Sequence, residues 1–161
     1  MLSWQVGDVT ITRIVELEIP LPYNPQSAFL KEATPEALAE IPWLAPHFVP
    51  EDGALTLSIH ALVVQAPGLN LVVDTCVGND KPRALLGGQA LQTEFLKSLE
   101  AAGCAADAVD TVVCTHLHVD HVGWNTMLKD GKWVPTFPNA RYLIGRREYD
   151  HWRREGDDDQ Q

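Results

Sequence analysis

Apolar and polar residues alternate through Val9-Thr10-Ile11-Thr12 before Ile14-Val15 breaks the rhythm, which predicts a half-buried strand with a bulge. Residues 19 to 52 then lose all periodicity and hold seven of the eleven prolines, at 20, 22, 25, 35, 42, 46 and 50. Proline has no amide to give a sheet ladder, so this stretch reads as a long irregular excursion. One short helix fits inside it, with Thr34 as N-cap, Pro35 as first helical residue and Ile41-Pro42 as the stop. A loop of this length in a compact domain is either a lid or an insertion. Phe29, Trp43, His47 and Phe48 can equally line a pocket rim or pack the loop down.

Leu57 to Gln65 and Leu69 to Asp74 are two strand-like runs joined by Ala66-Pro67-Gly68, an antiparallel hairpin pattern. The loop Asp74-Thr75-Cys76-Val77-Gly78-Asn79 follows, and Asp74 is either a site carboxylate or a cap for loop amides. Leu91, Phe95, Leu96, Leu99 and Ala102 share one helix face that stops at Gly103. Val109 to Cys114 is nearly continuous apolar sequence, as a strand covered on both faces requires. Val119 to Leu128 is expected to open a second helix. Trp133-Val134 and Arg141 to Ile144 add short strands, and a last helix starting near Arg146 places Tyr149 and Trp152 on one side. The order is that of a single α/β (α+β) unit without internal repeats.

Composition fits a globular chain: 161 residues, 45% hydrophobic and 21% charged. A net charge of −10 leaves no basic face for nucleic acid or an anionic membrane surface. Four acids between Glu155 and Asp159 make residues 155–161 an acidic, solvated tail. No apolar run approaches the ~18 residues of a membrane helix. Met1 to Val6 offers no signal-peptide pattern. Three cysteines, at 76, 104 and 114, are odd in number and scattered, so the expected setting is reducing and cytoplasmic.

Candidate chemistry concentrates in Thr115-His116-Leu117-His118-Val119-Asp120-His121-Val122-Gly123, which holds three of the six histidines. Residues two apart on an extended backbone point the same way, so His116 and His118 can reach one ion. Asp120 and His121, on a turn, can face a second ion. Paired metals of this kind serve hydrolysis. Cys114 reads as a small buried hydrophobe rather than a sulfur ligand. His47, His60 and His151 are poor additional ligands. His60 lies inside a strand, His47 in the proline-rich stretch and His151 beside Trp152 in the last helix.

This run resembles the His-x-His-x-Asp-His signature of the metallo-β-lactamase superfamily. The 74–79 loop and proline-rich entry are most similar to its lactonase-like and methyl-parathion-hydrolase-like branch. The resemblance implies the N-terminal half of an αββα sandwich, with a mixed, mostly antiparallel sheet and flanking helices. It also implies a cofactor of two divalent metal ions, zinc first among the candidates. His116 and His118 would hold one ion, Asp120 and His121 the other. Asp120 would in addition act catalytically, orienting the nucleophile or passing on its proton.

In that family a further histidine, a bridging aspartate and a last histidine come from downstream segments. The expectation is therefore a single but truncated domain over 1–161 with a partial ligand set. Two functions follow. One is metal-dependent hydrolysis of a small-molecule lactone, ester or organophosphate-like substrate. The alternative is an incomplete fragment that only binds metal or associates with itself. A barrel amidohydrolase fits poorly, because its His-x-His pair would belong to the first strand and not to position 116.

Overall fold

The computed structural model describes residues 1–21, 23, 24, 30–50 and 54–158, and of residues 85 and 155–158 only the backbone. Among the described residues, eight strands and three α-helices follow the predicted order with two departures: Leu2–Val6 is a strand the sequence pattern does not predict, and a strand replaces the helix expected after Val119. Strand β1 (Leu2–Val6) turns into β2 (Val9–Leu21), paired antiparallel in register from Leu2↔Arg13 to Val6↔Val9. β2 runs unbroken through the place where a bulge is predicted: Thr12 and Ile14 both face inward, so the two-residue period continues. β3 (Leu55–Ala66) and β4 (Leu69–Val73) form the expected hairpin, closed at Ala66↔Leu69 around Pro67-Gly68. Ile59, Ala61 and Val63 are buried, so His60 points from the opposite face of β3.

Helix α2 (Phe95–Ala101) starts later than the pattern of apolar residues suggests, because Leu91 is held in a bridge to Asn79. It buries Phe95 and Leu99. The end is the predicted one. Gly103, at φ 81, lets its amide bond Glu100 and the Cys104 amide bond Leu99, a Schellman closure that only a residue tolerant of left-handed backbone makes cheaply.

β5 (Thr111–Cys114) then pairs parallel with β4 on one side and with β8 (Arg141–Ile144) on the other. Thr111, Val112 and Cys114 are buried, as the apolar run requires. The sheet has the order β1-β2-β3-β4-β5-β8.

The segment expected to form a helix from Val119 does not. Residues Gly123–Asn125 make one 3-10 turn, and Thr126–Lys129 is strand β6, paired antiparallel with β7 (Lys132–Pro135). The amides a helix would use are taken elsewhere: Gly123 donates to the Cys76 carbonyl and Trp124 to that of Thr75, each at 2.7 Å. Helix α3 (Arg146–Asp158) begins where predicted. Of the acidic tail, residues 159–161 and the side chains of 155–158 lie outside the described set.

The chain divides into two compact units, residues 1–16 with 59–161, and residues 17–58. The first holds the core of Ile14, Val63, Val72, Val77, Phe95, Leu99, Val112, Trp124 and Phe137. The second contains the proline-rich stretch. Its helix α1 (Pro35–Ala39) is capped as predicted, with the Thr34 hydroxyl accepting from the Ala37 amide at 3.2 Å. A cavity of about 280 Å³ lies there among Leu38, Ile41, Leu44 and Val49. Trp43, His47 and Phe48 are not in its lining. The two aromatics meet edge to face at 6.1 Å and stay exposed, as does His47. Phe29 lies outside the described residues. Among the described residues no helix is long and apolar enough to cross a membrane.

Candidate metal centre

Because β4 and β5 are parallel neighbours, their carboxyl ends open side by side, and the loops that leave them meet there. The first residue of one loop is Asp74, the first of the other Thr115. Asp74 Oδ1 accepts from the Thr115 amide and Oδ2 from the Thr115 hydroxyl, both at 2.7 Å. Oδ2 also meets His121 Nδ1 at 2.9 Å. Asp74 is only 8% exposed, and its backbone is left-handed at φ 57. Asp74 thus caps a loop amide, one of the two readings the sequence leaves open, and also touches His121.

The two loops are laced together. The Thr75 amide donates to the His121 carbonyl at 2.8 Å, and the Thr75 hydroxyl donates to Asn125 at 3.0 Å. A methyl group on Gly123 would stand 1.8 Å from the Val77 carbonyl oxygen, so only glycine fits this crossing.

The four candidate ligands sit on one loop in two pairs. His116 Nε2 is 3.1 Å from His118 Nδ1, and His121 Nε2 is 3.4 Å from Asp120 Oδ2. The rings of His116 and His121 stand 3.9 Å apart between centroids. Counting protons fixes the tautomers. The Asp74 carboxylate can only accept, so His121 carries its hydrogen on Nδ1, leaving the Nε2 lone pair free. The Thr115 hydroxyl spends its hydrogen on Asp74, so its oxygen accepts from His116 Nδ1 at 3.0 Å, freeing His116 Nε2. Two ligands at about 2.0–2.1 Å on a tetrahedral ion stand roughly 3.3 Å apart. The donor set suits divalent metal in chemistry and in spacing within each pair, and at His116 and His121 also in tautomer. Among the described residues, no group of three or more His, Cys, Asp or Glu is arranged to hold one ion.

Helix α3 adds contacts that nothing in the sequence announces. Glu148 Oε1 accepts from the Leu117 amide at 2.9 Å and from the Trp152 indole at 2.8 Å. Those two donors hold the Glu148 carboxyl below its ordinary range. Trp152 meets the His118 ring edge-on at 5.7 Å. His151 packs on Trp152 at 5.3 Å and is exposed. Cys114 is buried with the Asn125 amide on its sulfur at 3.4 Å, and burial pushes its thiol up, away from the thiolate a metal needs.

A second contact cluster also escapes the sequence. Glu16 on β2 reaches Val77, Gly78, Thr93 and Trp124 around the back of the two loops. Its only trace in the sequence is a carboxylate continuing the inward register of Thr12 and Ile14.

Comparison with known proteins gives three findings. The family model of the metallo-beta-lactamase superfamily matches residues 55–158. No curated protein matches the chain by sequence. Among solved structures, the hydrolase AbOPH, described as in the beta lactamase superfamily, is 29% identical with a TM-score of 0.64, over 93% of this chain and 46% of its own. A probable metal-dependent hydrolase from Staphylococcus aureus is 19% identical with a TM-score of 0.66, covering 94% and 52%. AidC, a dizinc quorum-quenching lactonase in complex with a product, is 22% identical at 0.63, covering 94% and 46%. The last two share the fold. The chain spans about half the length of each of these structures.

Proposed function

Since this chain belongs to the metallo-beta-lactamase superfamily, we propose that its 116–121 loop binds divalent metal and serves a hydrolase. The observation that carries the reading is the spacing within each pair, His116 Nε2 at 3.1 Å from His118 Nδ1 and His121 Nε2 at 3.4 Å from Asp120 Oδ2. His116 and His118 would hold one ion, Asp120 and His121 the other, with zinc the first candidate. When bound, such ions supply Lewis acidity and a nucleophilic water at neutral pH. The side chains do the positioning. Asp74 keeps His121 in one tautomer, Thr115 does the same for His116, and Asp120 orients the nucleophile and takes its proton. The substrate class is a small lactone, ester or organophosphate-like molecule, as the resemblance of the motif and the 74–79 loop implies. AbOPH, a hydrolase, supports the reaction type.

A second reading, metal binding or self-association without turnover, is favoured by the two-and-two division of the donors. Zinc loading followed by metal analysis, with lactone and phosphotriester assays, separates the two. The hydrolase reading expects bound zinc and turnover that falls by at least ~100-fold in Asp120→Ala. Zinc bound without turnover selects the second reading. Below about 0.2 zinc per chain, both metal claims are overturned.

A further inference from the structure

Glu16 sits on the inward face of β2, two residues beyond Ile14, and its carboxylate gathers donors from three separate segments. Oε2 accepts from the Val77 amide at 2.7 Å, and Oε1 from the Trp124 indole at 2.6 Å and the Thr93 hydroxyl at 3.1 Å. The Gly78 amide lies between both oxygens at 3.3 and 3.4 Å. No ordinary core contact needs so many donors on one charge. Each donor belongs to a structure that carries the candidate site. Val77 and Gly78 end the loop that starts at Asp74. Trp124 follows His121 by three residues and stacks on Phe95 at 5.6 Å. Thr93 is tied to Asn79 through its amide at 2.7 Å.

We infer that Glu16 is a positioning residue for the Asp74–His121 pair, clamping the 74–78 and 121–125 loops from behind. Its hydrogen-bond partners among the described residues are Val77, Gly78, Thr93 and Trp124, and none of them is one of the four candidate donors. It acts through the interlock in which Gly123 bonds Cys76, Trp124 bonds Thr75 and Thr75 bonds His121. With those loops held, His121 Nδ1 stays on Asp74 and His121 Nε2 keeps its aim. The part of this inference that concerns metal affinity rests on the metal reading proposed above. The part that concerns the His121 tautomer does not.

Glu16→Gln tests the carboxylate while keeping its shape. Glutamine must place an amide NH2 against one set of donors. Turned toward Val77 it faces backbone N–H groups that cannot accept. Turned toward Trp124 it faces the indole N–H, whereas the Thr93 hydroxyl can rotate its hydrogen to Asn79 and accept. The remaining conflict is then with Trp124 alone, so Trp124→Phe removes it. The cost of Glu16→Gln should be large in the native background and small in the Trp124→Phe background.

Two readouts on the 161-residue chain decide the matter. In the metal-free protein, long-range ¹H–¹⁵N spectra of His121 should show one Nδ1–H tautomer natively and a mixture in Glu16→Gln. In zinc titrations against a chromophoric chelator, Glu16→Gln should cost about tenfold in affinity natively and about threefold or less beside Trp124→Phe. A native His121 signal together with unchanged affinity in Glu16→Gln overturns the inference, as does an equal cost in both backgrounds. If Glu16→Gln does not fold, Trp124→Phe alone is read for the tautomer: a mixture supports the clamp, and a native signal overturns it. A native chain that binds no zinc overturns the metal reading instead, and the tautomer readout still decides the role of Glu16.

Discussion

Gly123 joins backbone geometry to the chemistry of the site. It closes the histidine loop by lying directly against Val77 and Gly78, whose backbone atoms cannot step aside as a flexible side chain would. Gly123→Ala is therefore expected to destabilise the fold by about 3 kcal/mol, at the upper end for an inserted methyl group. Urea unfolding of the variant measures this, and a midpoint within error of the native one would contradict the crossing. Asp74 is the other decisive residue. Its two oxygens take three donors, and that arithmetic alone sets the proton on both His116 and His121. The motif's spacing puts four candidate ligands on one loop, but a carboxylate 47 residues from His121 chooses which nitrogen His121 offers and, through Thr115, which one His116 offers.

Among the elements, the parallel pairing of β4 with β5 sets where the chemistry can be, because it brings Asp74 beside Thr115. Helix α3 then leans on the histidine loop through Glu148. Since hydrogen bonds from Leu117 and Trp152 lower the Glu148 carboxyl in the folded chain, this contact is fully present above its ordinary unfolded value, about 4.5. It is lost as pH falls through the depressed folded value. The Trp152 indole proton resonance should therefore change in that acid window in the native chain and stay flat in Glu148→Gln. The same response in both would remove Glu148 from the contact. The failed helix after Val119 belongs to this scale too. Residues 119–126 are weak helix formers, Gly123 the weakest, and the hydrogen bonds from Gly123 and Trp124 to the 74–78 loop win.

For the whole molecule, the sheet ends on β8, whose Leu143 and Ile144 are 48% and 37% exposed. Among the described residues β8 is an edge strand, and an edge with exposed apolar side chains favours association with another strand. Sedimentation velocity of this chain is expected to show concentration-dependent association, reduced by Leu143→Lys. A monomer at all concentrations up to about 100 μM would refute it.

Local pattern determined most of the elements. The two-residue period set β2, Pro67-Gly68 set the hairpin of β3 and β4, Thr34-Pro35 set the start of α1, and Gly103 the end of α2. The histidine motif set its candidate ligands in pairs, because those residues are neighbours in sequence and their spacing is their geometry. What sequence could not supply is every contact made across long separations. Glu16 to Trp124, Asp74 to His121 and Glu148 to Leu117 join residues 108, 47 and 31 positions apart. The register of β2 turns Glu16 inward and a strand end singles out Asp74, but neither signal names the partner, since a carboxylate reads the same whether it meets water or several protein donors. The sequence alone placed four metal-competent side chains on one loop. Only the tertiary structure decided which of their atoms are free and what holds them still.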